Sequence, residues 1–243
     1  MQQTPEAPSL HDRHRPSTAA GMILLAASLL EVVGMLHHPS VKTRDIGQAV
    51  DQIASFGMLS AVVHATLITL MLLIAFGLLD FLVRRGLDRP LIRAGALAYA
   101  CGVLVMIGAG LVSGFITTGL AALLPHATQL DLQINLQLLL LCRVLNQSCA
   151  NFGVVAMSAG IVLWSLDLCR DAGVERGVGV SGCAVGLVPA LALMLGQIHL
   201  DVEGMTTVVM AQAAWYAAVA LLMLRRPLET APRAAAPQSS ARS

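Results

Sequence analysis

Six apolar stretches, each about as long as a bilayer is thick, constrain this chain more than any other feature. They run from Thr18 to Leu36, about Ile53 to Val83, about Ala94 to Leu124, about Leu136 to Leu166, Val178 to Ile198 and about Met205 to Leu224. A hydrocarbon core of about 30 Å needs roughly 20 apolar residues in helical form, because no water is present there to satisfy an exposed peptide group. A chain with six such runs is an all-α, polytopic membrane protein, a six-transmembrane-helix bundle. Composition agrees: 56% of residues are hydrophobic and only 12% charged, against roughly 25% charged in a soluble domain. The net charge of +1 offers no basic surface for nucleic acid.

Between the runs the chain is short and polar. Residues 1–17 are polar and carry no apolar periodicity, so they read as a disordered cytoplasmic tail. The first run could pass for a signal sequence, but it closes on GMLHHPS without a small-x-small cleavage site and reads as a retained span. VKTRDIGQAVDQ (41–52) reads as a polar loop with room for an interfacial helical turn, HATQLDLQIN (126–135) as a short loop, and DLCRDAGVERG (167–177) as a charged loop. Residues 225–243 form a second disordered cytoplasmic tail, basic and rich in Pro and Ala. Residues 18–224 are thus one membrane domain. Within it, Gly110 and Gly114 form the sharpest small-xxx-small pair, and Pro189 should bend the fifth span. The five cysteines form no C-x-x-C motif and read as small apolar packing residues.

Orientation follows from the basic residues. With the N-terminus inside, the cytoplasmic segments carry Arg13, Arg15, Arg84, Arg85, Arg89, Arg93, Arg170, Arg176, Arg225, Arg226, Arg233 and Arg242, and the outer loops only Lys42 and Arg44. This asymmetry predicts an N-in, C-in protein of a bacterial-type inner membrane.

The polar residues inside and beside the spans then sort to one side. Outward-running helices end in His37 and His38, in His126 and in His199, with Asp201 and Glu203 beside the last. Glu31, Gly34, Met35 and His38 share one face of the first span; Ser60, His64 and Met71 share one face of the second. His64 is expected about 11 residues into its helix, roughly 16 Å deep. On the fourth span Arg143, Gln147 and Asn151 recur every four residues, with Asn146 beside them. Ionisable groups inside spans turn toward the bundle interior and a partner, and Glu31 with Arg143 is the one oppositely charged pair well inside spans.

The leading expectation is therefore an outward-facing His/Glu site holding a transition-metal ion, with His37, His38 and His64 as ligands and Glu31 as a fourth ligand or a carboxylate that orients a histidine. Copper, zinc or iron suits such donors, and Met35, Met58, Met194 and Met205 on the same side would favour copper. Haem b is the alternative cofactor; it needs axial ligands at equal depth, hence a dip inward by His38 or His199. The role would be metal handling or a redox step, and whether that step is catalysis stays open. A second reading is a small-solute or ion permease lined by Glu31, Arg143, Asn146, Gln147 and Asn151, with Pro189 as a gating bend. A third is a non-catalytic assembly subunit, forming a homo-oligomer or part of a larger membrane complex through its glycine faces. Intramembrane hydrolysis is excluded: no G-x-S-x-G serine precedes a late histidine, and no late histidine pair stands one turn apart.

Overall fold

In the computed structural model, residues 18–41, 43, 45–124 and 129–225 are described. The two tails, Lys42, Arg44 and His126 lie outside them, apart from Arg225 at the end of the last helix. The described residues form helices and no strand. These are α1 (Thr18–Leu36), α2 (Ile46–Ser55), α3 (Gly57–Arg85), α4 (Pro90–Leu111), α5 (Thr117–Leu123), α6 (Gln129–Leu168), α7 (Val174–Met194) and α8 (Val202–Arg225), with a π-helical turn at Val112–Ile116 joining α4 to α5. Six helices are long and apolar enough to cross a membrane: Thr18–Leu36, Gly57–Arg85, Pro90–Leu123, Leu130–Leu168, Val174–Met194 and Val202–Arg225. The chain is a multi-pass membrane protein. Its perimeter agrees, with Leu97 and Leu104 each 69% exposed on the outside of α4, where lipid replaces the core as apolar surroundings.

Local chemistry sets the helix ends. Gly86, at φ 98°, stops α3 in a conformation that other residues resist. Pro90 then opens α4 at a position where its missing N–H is no loss. Two expected loops are partly helical. The first contains α2, capped by Asp45, whose Oδ1 accepts from the Gln48 N–H at 2.8 Å. Ala49, Val50 and Ile53 lie on one side of α2, and Gln48, Asp51, Gln52 and Ser55 on the other. This periodicity extends the expected helical turn into a short helix that takes in the expected start of the span, and it packs against α5. The second expected loop is overtaken by α6, which begins at Gln129 and has Asp131 in its first turn, where a carboxylate stabilises the helix dipole.

The spans pack as a closed ring in the order α1, α3, α4, α6, α7, α8 and back to α1. The tightest contact is between α4 and α6. A Cβ on Gly102 would lie 2.8 Å from the Gly153 carbonyl oxygen, and one on Gly160 would lie 2.9 Å from that of Gly95. Two glycines seven residues apart on each helix thus let the backbones touch. At the arginine-rich end, Asp167 is 1% exposed and accepts from Arg85 Nε at 3.1 Å, Arg85 Nη2 at 2.5 Å and Arg89 Nη1 at 3.1 Å. Arg85 also reaches Asp171 at 2.5 Å. Asp167 therefore belongs to the last turn of α6 and clamps the α3–α4 turn, rather than lying in a solvated loop. Above this clamp, Tyr99, Trp164, Trp215 and Tyr216 pack together with ring centroids 5.1–6.5 Å apart. These are all the tyrosines and tryptophans of the chain, and they fill the middle of the bundle.

Candidate metal centre at the histidine end

At the opposite end, α1 stops because Pro39 disfavours a helical conformation in the residue before it. The last turn tightens into i to i+3 bonds, from His37 N–H to the Gly34 carbonyl at 3.3 Å and from His38 N–H to the Met35 carbonyl at 3.1 Å. The two histidines part company at this point. His37 is exposed, and its Nδ1 bonds the Val33 carbonyl of its own helix at 2.9 Å. His38 is half-buried, and its Nδ1 donates to the Pro39 carbonyl at 2.9 Å.

His64 comes to meet His38. Because α3 begins at Gly57 rather than near Ile53, His64 is seven residues, about 10 Å, inside its helix rather than the expected eleven. It is 6% exposed. Its Nδ1 donates to the Ser60 carbonyl at 2.8 Å, with the Ser60 hydroxyl at 3.3 Å. The π-helical turn presents Gly114 to this imidazole: a Cβ there would lie 2.5 Å from His64 Cβ. π-turns often occur where a helix re-aims residues at a functional site. Here the turn carries the one residue type that lets α3 and α4 approach at His64.

The Nε2 atoms of His38 and His64 are 3.3 Å apart, with ring centroids 4.8 Å apart and planes at 72°. A carbonyl oxygen only accepts, so each Nδ1 carries a hydrogen and each neutral ring keeps a bare lone pair on Nε2. The two lone pairs face each other. Burial pushes the His38 imidazole below its ordinary pKa, against the opposing effect of its bond to the Pro39 carbonyl, so the neutral ring with its free lone pair is favoured. Two nitrogens at about 2.0–2.1 Å from a tetrahedral ion stand about 3.3–3.4 Å apart. Trans ligands across a haem iron would be about 4 Å apart with the macrocycle between them, by the same bond lengths. The observed separation matches neighbouring ligands of a small ion.

The pair opens on a cavity of about 460 Å³ lined by α1, α3, α4, α6 and α8. Glu31, Met35, Met71, Met106, Met157, Met205 and Gln212 line it, with Arg143, Asn146 and Asp201. Glu31 is 9% exposed, and among the described residues it makes no hydrogen bond or ion pair. Arg143 is exposed and does not reach it, so the expected Glu31–Arg143 ion pair is not formed. Gln147 and Asn151 bond each other at 2.9 Å and do not line the cavity. His199 and Glu203 are exposed. Asp201 is spent capping α8, its Oδ1 accepting from Gly204 N–H at 2.8 Å. Among the described residues no group of three or more His, Cys, Asp or Glu side chains is placed to hold a metal ion. Of the expected set, the structure brings His38 and His64 together, puts Glu31 in the same cavity and turns His37 away.

Of the methionines expected here, Met35 and Met205 line the cavity, whereas Met58 and Met194 are 83% and 71% exposed. Sequence reasoning did not reach Met106, Met157 and Gln212; of these only Met157 lies on a helix that already carried a polar face. Compared with known proteins, the chain matches no family model, no curated protein and no solved structure.

Proposed function

We propose that this protein binds a transition-metal ion between His38 and His64, in a cavity that opens to the periplasmic side of a bacterial-type cytoplasmic membrane, and serves metal handling or a redox step. One observation carries the reading: two imidazoles whose Nδ1 hydrogens are committed to carbonyls direct bare Nε2 lone pairs at each other across 3.3 Å. Two facing lone pairs repel unless a cation sits between them. Histidines oriented by backbone carbonyls are the usual form of metal-ligating imidazoles. The periplasmic side follows from the arginines: Arg84, Arg85, Arg89, Arg93, Arg170, Arg176 and Arg225 all gather at the far end.

The test is metal analysis of detergent-purified protein after loading with zinc, copper or iron and exhaustive dialysis, with an optical spectrum to register haem. About one ion per chain is expected, lost in His38→Ala and His64→Ala and kept in His37→Ala. Unchanged metal content in the first two variants would refute the reading, and so would a Soret band that His38→Ala and His64→Ala leave intact. A solute permease would use the same cavity, whose volume exceeds that of a bare ion. Of the residues expected to line that pathway, however, Gln147 and Asn151 bond each other and do not line the cavity.

A further inference from the structure

We infer that the ion is monovalent copper and that methionine thioethers of the cavity complete its coordination. The inference rests on the His38–His64 reading and deepens it by naming the cargo.

The donor set points to it. Two imidazoles cannot hold an ion alone, and among the described residues no third histidine and no cysteine lines the cavity. What the cavity offers instead is sulfur. Met35 on α1, Met71 on α3, Met106 on α4, Met157 on α6 and Met205 on α8 all line it, one thioether from each of its five walls. Of the other described methionines, Met22, Met58, Met194 and Met210 are 50–83% exposed, and Met223 is buried in the core without lining the cavity. Thioether sulfur is a soft, neutral donor that selects copper(I), whereas zinc and iron favour nitrogen, oxygen or thiolate. Charge points the same way. Glu31 is the one buried carboxylate in the cavity and has no partner among the described residues. Arg143 and Asp201, the other charged lining residues, are exposed and opposite in sign, so a single positive charge beside Glu31 leaves the cavity neutral, whereas a divalent ion would leave an uncompensated charge there.

The methionines also fall in order along the bundle. Met35 precedes His38 by three residues, and Met205 is in the first turn of α8 at the same end. Met71 lies two turns, about 10 Å, further along α3 than His64. Met106 sits against Gly153, and Met157 against Gly102, toward the middle of the bundle. Met35 and Met205 are placed to complete the histidine site, and the other three to receive the ion below it.

The experiment uses the full chain in detergent, titrated anaerobically with copper(I) in competition with a chromophoric chelator, and separately with zinc(II). Leucine conserves the volume of methionine, so Met35→Leu/Met205→Leu should keep the fold. The expected result is copper(I) bound at least a hundredfold more tightly than zinc(II), at least a tenfold loss of copper(I) affinity in the double variant, no change for zinc(II), and copper X-ray absorption showing sulfur neighbours that the variant loses. If zinc(II) binds as tightly and the leucine variant is silent, while His38→Ala still abolishes binding, the copper assignment is overturned and the histidine site stands. If neither ion depends on His38 or His64, both readings fall together.

Discussion

Replacing Gly114 by alanine tests whether the π-turn sets the geometry of the histidine pair. The new methyl would lie 2.5 Å from His64 Cβ, 2.6 Å from Cγ and 3.0 Å from Nδ1. Carbon atoms in good contact are about 3.5–4.0 Å apart, so the imidazole must retreat by about 1 Å. Metal–ligand distances tolerate about 0.2 Å, and the present 3.3 Å between the Nε2 atoms leaves no such slack. Disturbing the groups that orient a ligand costs about 10–100-fold in metal affinity, or about 1.4–2.7 kcal/mol. Gly114→Ala should therefore weaken metal binding by at least tenfold in a chelator-competition titration. Circular dichroism and size-exclusion chromatography would verify that the bundle is intact. Gly110→Ala is the control: its Cβ would meet only the flexible end of Ile68, at 3.3 Å, and should change affinity less than twofold. Equal affinities for both variants and the parent would refute the reasoning that Gly114 positions His64.

Three further outcomes concern the scaffold. Asp167→Ala removes the buried carboxylate that holds the largely buried Arg85 and should destabilise the protein by about 3–5 kcal/mol in detergent unfolding, whereas Asp171→Ala, at the more exposed partner, should cost about 1 kcal/mol or less. Gly102→Val forces α4 from α6 and should cost at least the roughly 1–3 kcal/mol typical of overpacking, read as a lowered melting temperature. Arg143→Ala should change stability by no more than about 0.5 kcal/mol, since Arg143 is exposed and forms no ion pair among the described residues; a large loss would mean that it does engage Glu31.

The spans were legible in the sequence because lipid leaves the backbone no alternative to helices of that length. Their ends were less so. Polar residues at 41–52 and 126–135 mark loops in a window average, yet the three-to-four-residue recurrence of Ala49, Val50 and Ile53, and the leucines after Gln129, carry helices through them. His38 and His64 could be placed on the same side of the membrane from topology alone. That they meet, and that His37 does not join them, depends on one residue's rotation at the end of α1, set by Pro39 and the tightened last turn. Arg143 shows the same limit, since helix rotation decides whether a charge inside a span finds a distant partner. The α4–α6 contact was overlooked for a different reason. Its glycines stand seven residues apart on each helix, at 95 and 102 and at 153 and 160, a weaker signal than the four-residue spacing of Gly110 and Gly114. Asp167 was misplaced because a charged string hides which of its members caps a helix.

α6 has 40 residues and is about 60 Å long, twice the thickness of a hydrocarbon core of about 30 Å. Even leaning by 40°, the steep end of what membrane helices show, it would rise about 46 Å along the normal. About 15 Å of it must therefore stand in the headgroups or beyond, as a mast. Met157, Val154, Ala150 and Asn146 on this same helix form one wall of the cavity. A change in bilayer thickness that alters the lean of the mast would act directly on that wall, so the lipid itself has mechanical purchase on the chamber behind the histidines.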